Sequence, residues 1–328
     1  MTCGAALTSQ ATPFLSGVAF FCASFAGNAT LPSLSFPVDC RLGETCFIQQ
    51  YVDHDPSIAA RDYTCGPQSY DGHQGTDFRL SDLAALTRNV AVLAAADGIV
   101  QATRDGVLDQ GIAAMPEGQD CGNGVVIDHG DGWQSQYCQL ARGSIAVTQG
   151  QNVQAGARLG VLGLSGRTEF PHLHFTLRHN GTLIDPFNQS AEGHCGLDTA
   201  QLWHPALPAP TADVMAAGFS NALPDYDAIR AGRAHLPMST RSASALVVCG
   251  FAHSGQIGDR MEFEITGPNG ALLHENNVTL ERAQAQFFRA SGRRAPNGGW
   301  GAGRYIGEIR LIREGELISI RQTEIELR

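Results

Sequence analysis

Two short histidine motifs, roughly a hundred residues apart, constrain this chain more than any other feature. The first is His73-Gln-Gly-Thr-Asp77 and the second is His172-Leu-His174. Together they supply one carboxylate and three imidazoles, which is one imidazole more than a site with three protein ligands requires. Three protein ligands of this kind and one open position are the usual composition of a catalytic zinc site. The motif pair therefore indicates a metal site that can perform chemistry.

The spacing within each motif has a physical reason. The segment 170–177 is rich in aromatic and β-favouring residues around a proline, which predicts a strand. Residues two apart on a strand point to the same face, so His172 and His174 should project together. His73 and Asp77 are four apart in a glycine-containing segment that can fold back on one ion. A single histidine is usually an ordinary core or surface residue, but two paired motifs favour a shared site.

The order of the landmarks around both motifs resembles the lysostaphin or LytM type of zinc endopeptidases, which cut peptide cross-links in peptidoglycan. That family carries a His-x-x-x-Asp motif and, about a hundred residues later, a His-x-His motif. The resemblance covers roughly residues 65–188. Further matching segments occur here, in the family's order, at 92–100, 122–130, 150–160 and 184–186.

The resemblance implies a fold and a set of roles. The fold would be mainly β, with a LytM-type antiparallel β-sheet metallopeptidase core. His73, Asp77 and His174 would bind Zn²⁺. His172 would stay off the metal and assist catalysis.

One position departs from the family's pattern. The family usually carries a second catalytic histidine in a Tyr-x-His-Leu segment, whereas this chain has Tyr137-Cys-Gln-Leu140, so that Gln139 replaces the histidine. A glutamine can donate a hydrogen bond to a developing oxyanion, but it cannot become a cation or exchange a proton at neutral pH. Removal of such a group commonly costs on the order of a hundredfold or more in rate. We expect the zinc site to survive and Gln139 to act in catalysis as a hydrogen-bond donor.

Length and charge limit the possible partners. At 328 residues the chain has room for two domains and a sizeable core. Charged residues make up 16% and hydrophobic residues 43%, with 38 glycines, which is typical of a folded, loop-rich protein. The net charge of -10 argues against nucleic acid as a partner, since that partner calls for a basic surface.

The amino terminus and the cysteines predict an exported protein. The apolar run at 14–26, followed by small residues, resembles a secretory signal and is too short to span a bilayer comfortably. Of nine cysteines, seven follow this segment, which fits the oxidising environment of a periplasmic or secreted protein. Cys121 and Cys138 flank neighbouring predicted strands and are expected to be joined. The connectivity of Cys40, Cys46, Cys65, Cys195 and Cys249 is left open.

The chain divides into five predicted regions. The fourth region is a proline-rich linker, in which a short helix is considered possible at 211–219. His253 and His274 are expected to be surface residues. Alternating apolar residues near the carboxyl terminus indicate short strands with regular turns, hence a β-sandwich. The regions are a signal peptide at 1–29, a cysteine-containing lead-in at 30–66, the zinc peptidase domain at 67–198, a linker at 199–240 and a β-sandwich-like accessory domain at 241–328.

The function expected from these features is a zinc-dependent endopeptidase that cleaves peptide cross-links of bacterial peptidoglycan. The alternative is a zinc-binding but weakly active or inactive relative that regulates or scaffolds cell-wall hydrolysis, and Gln139 favours it. A carbohydrate-binding protein is a third reading, which rests on the terminal β pattern alone. No transmembrane segment is expected.

Overall fold

In a computed structural model of the chain, the structure describes residues 33–114, 117–189, 194–196 and 200–328. The predicted signal peptide at 1–29 therefore lies outside the described residues. Pro32–Arg328 forms one compact unit. Within the described ranges, no helix combines the length and the apolar character needed to cross a membrane.

The described chain is built mostly from antiparallel strands, which confirms the mainly β fold class. Two short 3-10 helices, Leu83–Arg88 and Gly111–Ala114, interrupt the first half. The strands of this half are β1 (Phe47–Gln50), β2 (Thr76–Arg79), β3 (Ala91–Leu93), β4 (Gly98–Arg104), β5 (Asn123–Gly130), β6 (Trp133–Leu140), β7 (Asn152–Val153), β8 (Arg158–Val161), β9 (His172–His179) and β10 (Thr182–Ile184).

One large sheet holds most of these strands, in the order β1-β2-β9-β6-β5-β4-β7, with β10 also paired to β9. The matching segment at 92–100 is divided between two sheets, because β3 leaves this sheet to pair with β8. The strand predicted from the segment 170–177 is confirmed by β9, which begins at His172. In β9, Leu173, Phe175 and Leu177 are fully buried, so the face opposite the histidines packs into the core. Burial of each side chain of this size contributes about 1.5–3 kcal/mol.

The second half forms a β-sandwich, as predicted. A three-stranded sheet, β11-β13-β16, and a five-stranded sheet, β12-β18-β17-β14-β15, share one buried apolar cluster. The short helix α1 spans Tyr226–Arg230. The strands are β11 (Asp213–Ser220), β12 (Met238–Ser239), β13 (Ala245–Gly255), β14 (Arg260–Thr266), β15 (Leu272–Thr279), β16 (Gln284–Arg294), β17 (Gly303–Arg313) and β18 (Glu316–Leu327).

The helix considered for 211–219 is wrong, because this segment forms strand β11. Its alanines and methionine favour a helix locally, but β11 pairs along its length with β13 and buries Val214 and Phe219. Tertiary pairing thus overrides local propensity. The segment expected as a linker, 199–240, supplies strands to both sheets, and the boundary between the domains stays a prediction.

The two halves meet at a buried apolar cluster. Phe47 of β1 packs there with Met215, Ile229, Cys249 and Phe251 of the sandwich. His253 also lies at this interface, with its ring centroid 5.8 Å from that of Phe47. The expectation that His253 is a surface residue is therefore wrong. Burial lowers its pKa to about 3, so the side chain is neutral at physiological pH.

Three disulfides tie down the first half. The predicted Cys121–Cys138 bond is confirmed, and the others join Cys40 to Cys46 and Cys65 to Cys195. Among the described cysteines, Cys249 is the free thiol, and it is buried. The Cys65–Cys195 bond connects the lead-in to the end of the peptidase region, which the sequence pattern alone did not indicate.

Removal of each disulfide should lower the free energy of unfolding, and the loss should increase with the length of the loop that the bond closes. Loop-closure entropy predicts losses of about 2, 3 and 5 kcal/mol for sequence separations of 6, 17 and 130 residues. Urea denaturation of paired Cys→Ala variants measures these losses. Cys249→Ala controls for loss of a buried sulfur that closes no loop. A reversed order would show that loop closure does not dominate.

Candidate metal centre

The antiparallel pairing of β2 with β9 brings the two histidine motifs together. Asp77 lies directly opposite His174 in this pair. His174 Nδ1 is 2.9 Å from Asp77 Oδ1, and His73 Nε2 is 3.2 Å from His174 Nδ1 and 3.3 Å from Asp77 Oδ1. All three potential ligand atoms lie within 4.8 Å of one another. The structure thus brings together the three residues predicted to bind metal.

Hydrogen bonds orient the two imidazoles of this trio. His73 Nδ1 lies 2.7 Å from the Tyr51 carbonyl oxygen, so this nitrogen donates its proton to the backbone and Nε2 is the ring atom turned towards Asp77. His174 Nε2 lies 3.1 Å from Thr176 Oγ1, which leaves Nδ1 free to act as the ligand. Such partners commonly fix the tautomer and the ring orientation of a metal-binding histidine. One nitrogen of each ring, His73 Nε2 and His174 Nδ1, therefore faces Asp77.

Gly75 allows the first motif to fold against β9. A Cβ atom at this position would lie 2.6 Å from both His174 Nε2 and the Phe175 carbonyl oxygen. Those distances are too short for any side chain. The glycine between His73 and Asp77 is thus required by the close approach of the backbone to the site.

Electrostatics keep the central carboxylate ionised. Burial alone would raise the pKa of Asp77, but the surrounding imidazoles, with His73 first among them, hold it well below its usual range. A carboxylate and two imidazoles form a donor set that suits Zn²⁺, which takes the place of the ring protons when it binds. The described residues therefore fit the metal that the motifs predict.

His172 lies beside this trio and has a different environment. Its Nδ1 is 3.0 Å from the Phe170 carbonyl oxygen and 3.0 Å from Thr168 Oγ1. Its Nε2 is 3.5 Å from Asp77 Oδ1. Burial lowers the pKa of His172, although the charge of Asp77 acts in the opposite direction. The ring is therefore neutral, with Nδ1–H donated to the backbone and the Nε2 lone pair facing the site.

Gln139 lines the same cavity as His172. Its Nε2 donates a hydrogen bond to the Asp120 carbonyl oxygen at 3.0 Å. Its Oε1 is buried and has no hydrogen-bond partner among the described residues. The backbone of Gln139 has a φ of 62°, an uncommon conformation for a residue other than glycine. The amide of Gln139 is thus held by the backbone of Asp120, which lines the same cavity.

These side chains open into a cavity of about 940 Å³. The segment between β4 and β5 contributes Ile112 and Asp120 to the lining. Arg178 also lines the cavity and was missed, although its place on β9, four residues after His174, could have indicated it. Ala285 and Gln286 of the sandwich line it too, and no local sequence signal could have revealed them.

Arg79 connects the sandwich to strand β2, which carries Asp77. It follows Asp77 by two residues on β2 and is almost fully buried. Its guanidinium donates to Gln286 Oε1 at 3.2 Å and lies over the rings of Phe170 and Phe251, at 4.6 and 5.6 Å from their centroids. Burial lowers its pKa to about 9, so it remains a cation at neutral pH. The sandwich is therefore anchored directly behind the site.

Comparison with known proteins gives a consistent match over the same region. Residues 71–186 match Peptidase family M23. The peptidoglycan DD-endopeptidase ShyA of Vibrio cholerae is 35% identical over 113 residues, which cover 34% of this chain and 22% of the relative. The DD-carboxypeptidase/endopeptidase Mpg of Neisseria meningitidis is 39% identical over 66 residues, or 20% of this chain and 14% of Mpg. The chain thus spans less than a quarter of the length of these relatives.

Solved structures give similar matches. A zinc-containing peptidase from Vibrio cholerae is 24% identical, covers 43% of this chain and 39% of its own, and has a TM-score of 0.28. The catalytic domain of lysostaphin from Staphylococcus simulans is 23% identical, with 42% and 85% covered and a TM-score of 0.28.

Substitution of His172 and of His174 should have different effects on metal content. His174→Ala removes one of the three converging ligand atoms and should abolish the binding of one zinc per chain. His172→Ala should leave the zinc bound, because its nitrogen lies outside the trio. Metal analysis of both purified variants after zinc loading and dialysis measures the difference. Equal loss of zinc in the two variants would contradict the assignment.

Proposed function

We propose that the chain, whose residues 71–186 match Peptidase family M23, is a zinc-dependent endopeptidase cleaving peptide cross-links of bacterial peptidoglycan. The observation that carries the proposal is the convergence of His73, Asp77 and His174 beside the neutral ring of His172. The names of ShyA and Mpg support the substrate class. A periplasmic or secreted location is part of the proposal, and the disulfides support it.

His73, Asp77 and His174 would hold the zinc. When bound in such a site, zinc polarises a carbonyl oxygen and lowers the pKa of a coordinated water. The three side chains already converge, and each histidine is oriented by a separate hydrogen bond. Little rearrangement of these residues is therefore needed to form the site.

His172 would serve as the proton acceptor. Its Nδ1–H is held by the Phe170 carbonyl, so only Nε2 is free to take a proton. Burial lowers the pKa of the ring, which keeps that nitrogen unprotonated at neutral pH. A positioned base of this type typically contributes a factor of about 100 to 10,000 in rate.

Gln139 would stabilise developing negative charge with the N–H that Asp120 does not occupy. A neutral amide gives less stabilisation than a cationic imidazole at the same place. It also cannot return a proton to the leaving group. We therefore propose that turnover is slow relative to an enzyme with histidine here.

A second function competes with hydrolysis. Gln139 favours a zinc-binding regulator or scaffold of cell-wall hydrolysis that is weakly active or inactive. The oriented trio and the neutral His172 oppose it, since a scaffold does not need a base beside an open metal site. The two functions differ in one observable, the release of cleaved cross-links.

Gln139→His should increase the rate of peptidoglycan hydrolysis by tenfold or more, on the order expected for one oxyanion-stabilising group. The increase should appear in kcat, because the added group acts on charge that develops in the transition state. Zinc content should not change. The measurement is muropeptide release from purified peptidoglycan by the zinc-loaded wild type, Gln139→His and His172→Ala.

Hydrolysis by the wild type that disappears in His172→Ala supports the peptidase. Absence of hydrolysis in all three proteins, with zinc present, would overturn the peptidase and leave the regulatory function. Activity that is the same in wild type and His172→Ala would contradict the role of His172.

A further inference from the structure

The floor of the cavity extends along β9 beyond the metal centre. His172, His174, Thr176 and Arg178 alternate along this strand and all line the same cavity. The geometry points to Arg178 as a binding site for a carboxylate of the peptide substrate, at a position a few residues from the cleaved bond. This inference rests on the proposed function, because it names a chemical feature of the same substrate.

The contacts of Arg178 leave its charge available. Its Nη1 donates to Gln136 Oε1 on the neighbouring strand at 2.8 Å. A neutral amide orients the guanidinium without neutralising it. No ion pair to Arg178 occurs among the residues that the structure describes. At least part of the guanidinium fork thus remains for an anion.

Gln136 is itself held in place. Its Nε2 lies 3.3 Å from Cys138 Sγ and 3.5 Å from Cys121 Sγ. This contact directs its carbonyl oxygen towards Arg178. The disulfide, the amide and the guanidinium therefore form a continuous and ordered part of the cavity lining.

The environment of Arg178 is unfavourable for an isolated cation. The side chain is half-buried, and desolvation lowers its pKa. Removal of a charge from water without a partner costs free energy. A partly desolvated guanidinium in a cavity, held only by an amide, is the arrangement expected where a ligand supplies the opposite charge.

The ligand class follows from the geometry of the guanidinium. Its planar fork matches a carboxylate with two parallel hydrogen bonds. Four residues of strand separate the Cα atoms of His174 and Arg178 by roughly 13 Å. An extended peptide covers that distance in about four residues. A peptide whose free carboxylate lies about four residues from the cleaved bond would therefore reach Arg178.

The other charged residues of the cavity do not attract anions in general. Its lining also includes the acidic residues Asp71, Asp120 and Glu169 and the exposed Arg167. The combined charge therefore does not concentrate anions in the cavity. A carboxylate therefore gains binding free energy only where the bound peptide places it next to Arg178. This makes Arg178 a determinant of substrate specificity.

Peptide binding without turnover tests this inference. Zinc-loaded His172→Ala would be titrated calorimetrically with a cross-linked muropeptide dimer whose carboxylates are free, and with the same dimer after amidation. Amidation should weaken binding by about tenfold to a hundredfold, the range for a hydrogen bond to a charged group. Adding Arg178→Gln should remove this difference. Arg158→Gln, which changes an exposed arginine of β8, is the matched control and should retain it.

Equal binding of the two dimers by the His172→Ala protein would overturn the inference. An unchanged preference after the addition of Arg178→Gln would also overturn it, and so would a failure of the His172→Ala protein to bind both dimers. If Arg178→Gln does not fold, Arg178→Lys keeps the charge without the fork and should reduce the preference. The experiment measures binding and not turnover, so the two proposals can fail separately. If the protein distinguishes the dimers but the wild type does not hydrolyse peptidoglycan, the carboxylate site stands and the proposed peptidase function is wrong.

Discussion

The antiparallel pairing of β2 with β9 is the interaction on which the site depends. Its register places Asp77 opposite His174 and Arg79 opposite His172. One register therefore places the proposed metal ligands Asp77 and His174 side by side on one face of the sheet. A slip of one residue would turn the histidines of β9 into the core and expose Leu173 and Phe175. The burial of those apolar side chains thus stabilises the register that assembles the polar site.

The cavity depends on both halves of the chain. Arg79 reaches across to Gln286 and lies between Phe170 and Phe251. Phe170 also provides the carbonyl that orients His172. The sandwich thus packs against the segment that holds the proposed base. Its position is fixed by buried contacts, which distinguishes it from a module carried on a flexible linker.

The sequence predicted the parts of the site that are local or periodic. His172 and His174 follow from strand alternation, and the Cys121–Cys138 pair follows from neighbouring strands. Contacts between distant segments that carry no recognisable motif were not predictable. Gln286 reaches the cavity only because the sandwich docks there, and the Cys65–Cys195 bond joins residues 130 apart. The strand at Asp213–Ser220 was misjudged because its pairing with β13 outweighs its local preference.

The most direct test of this account is X-ray absorption spectroscopy of the zinc-loaded protein at neutral pH. The account predicts zinc with two imidazole nitrogens at about 2.0–2.1 Å and oxygen ligands completing the shell. Sulfur ligation would contradict it, because none of the three proposed ligands carries sulfur. Three imidazoles would also contradict it, since the third could come only from a histidine that the account keeps off the metal.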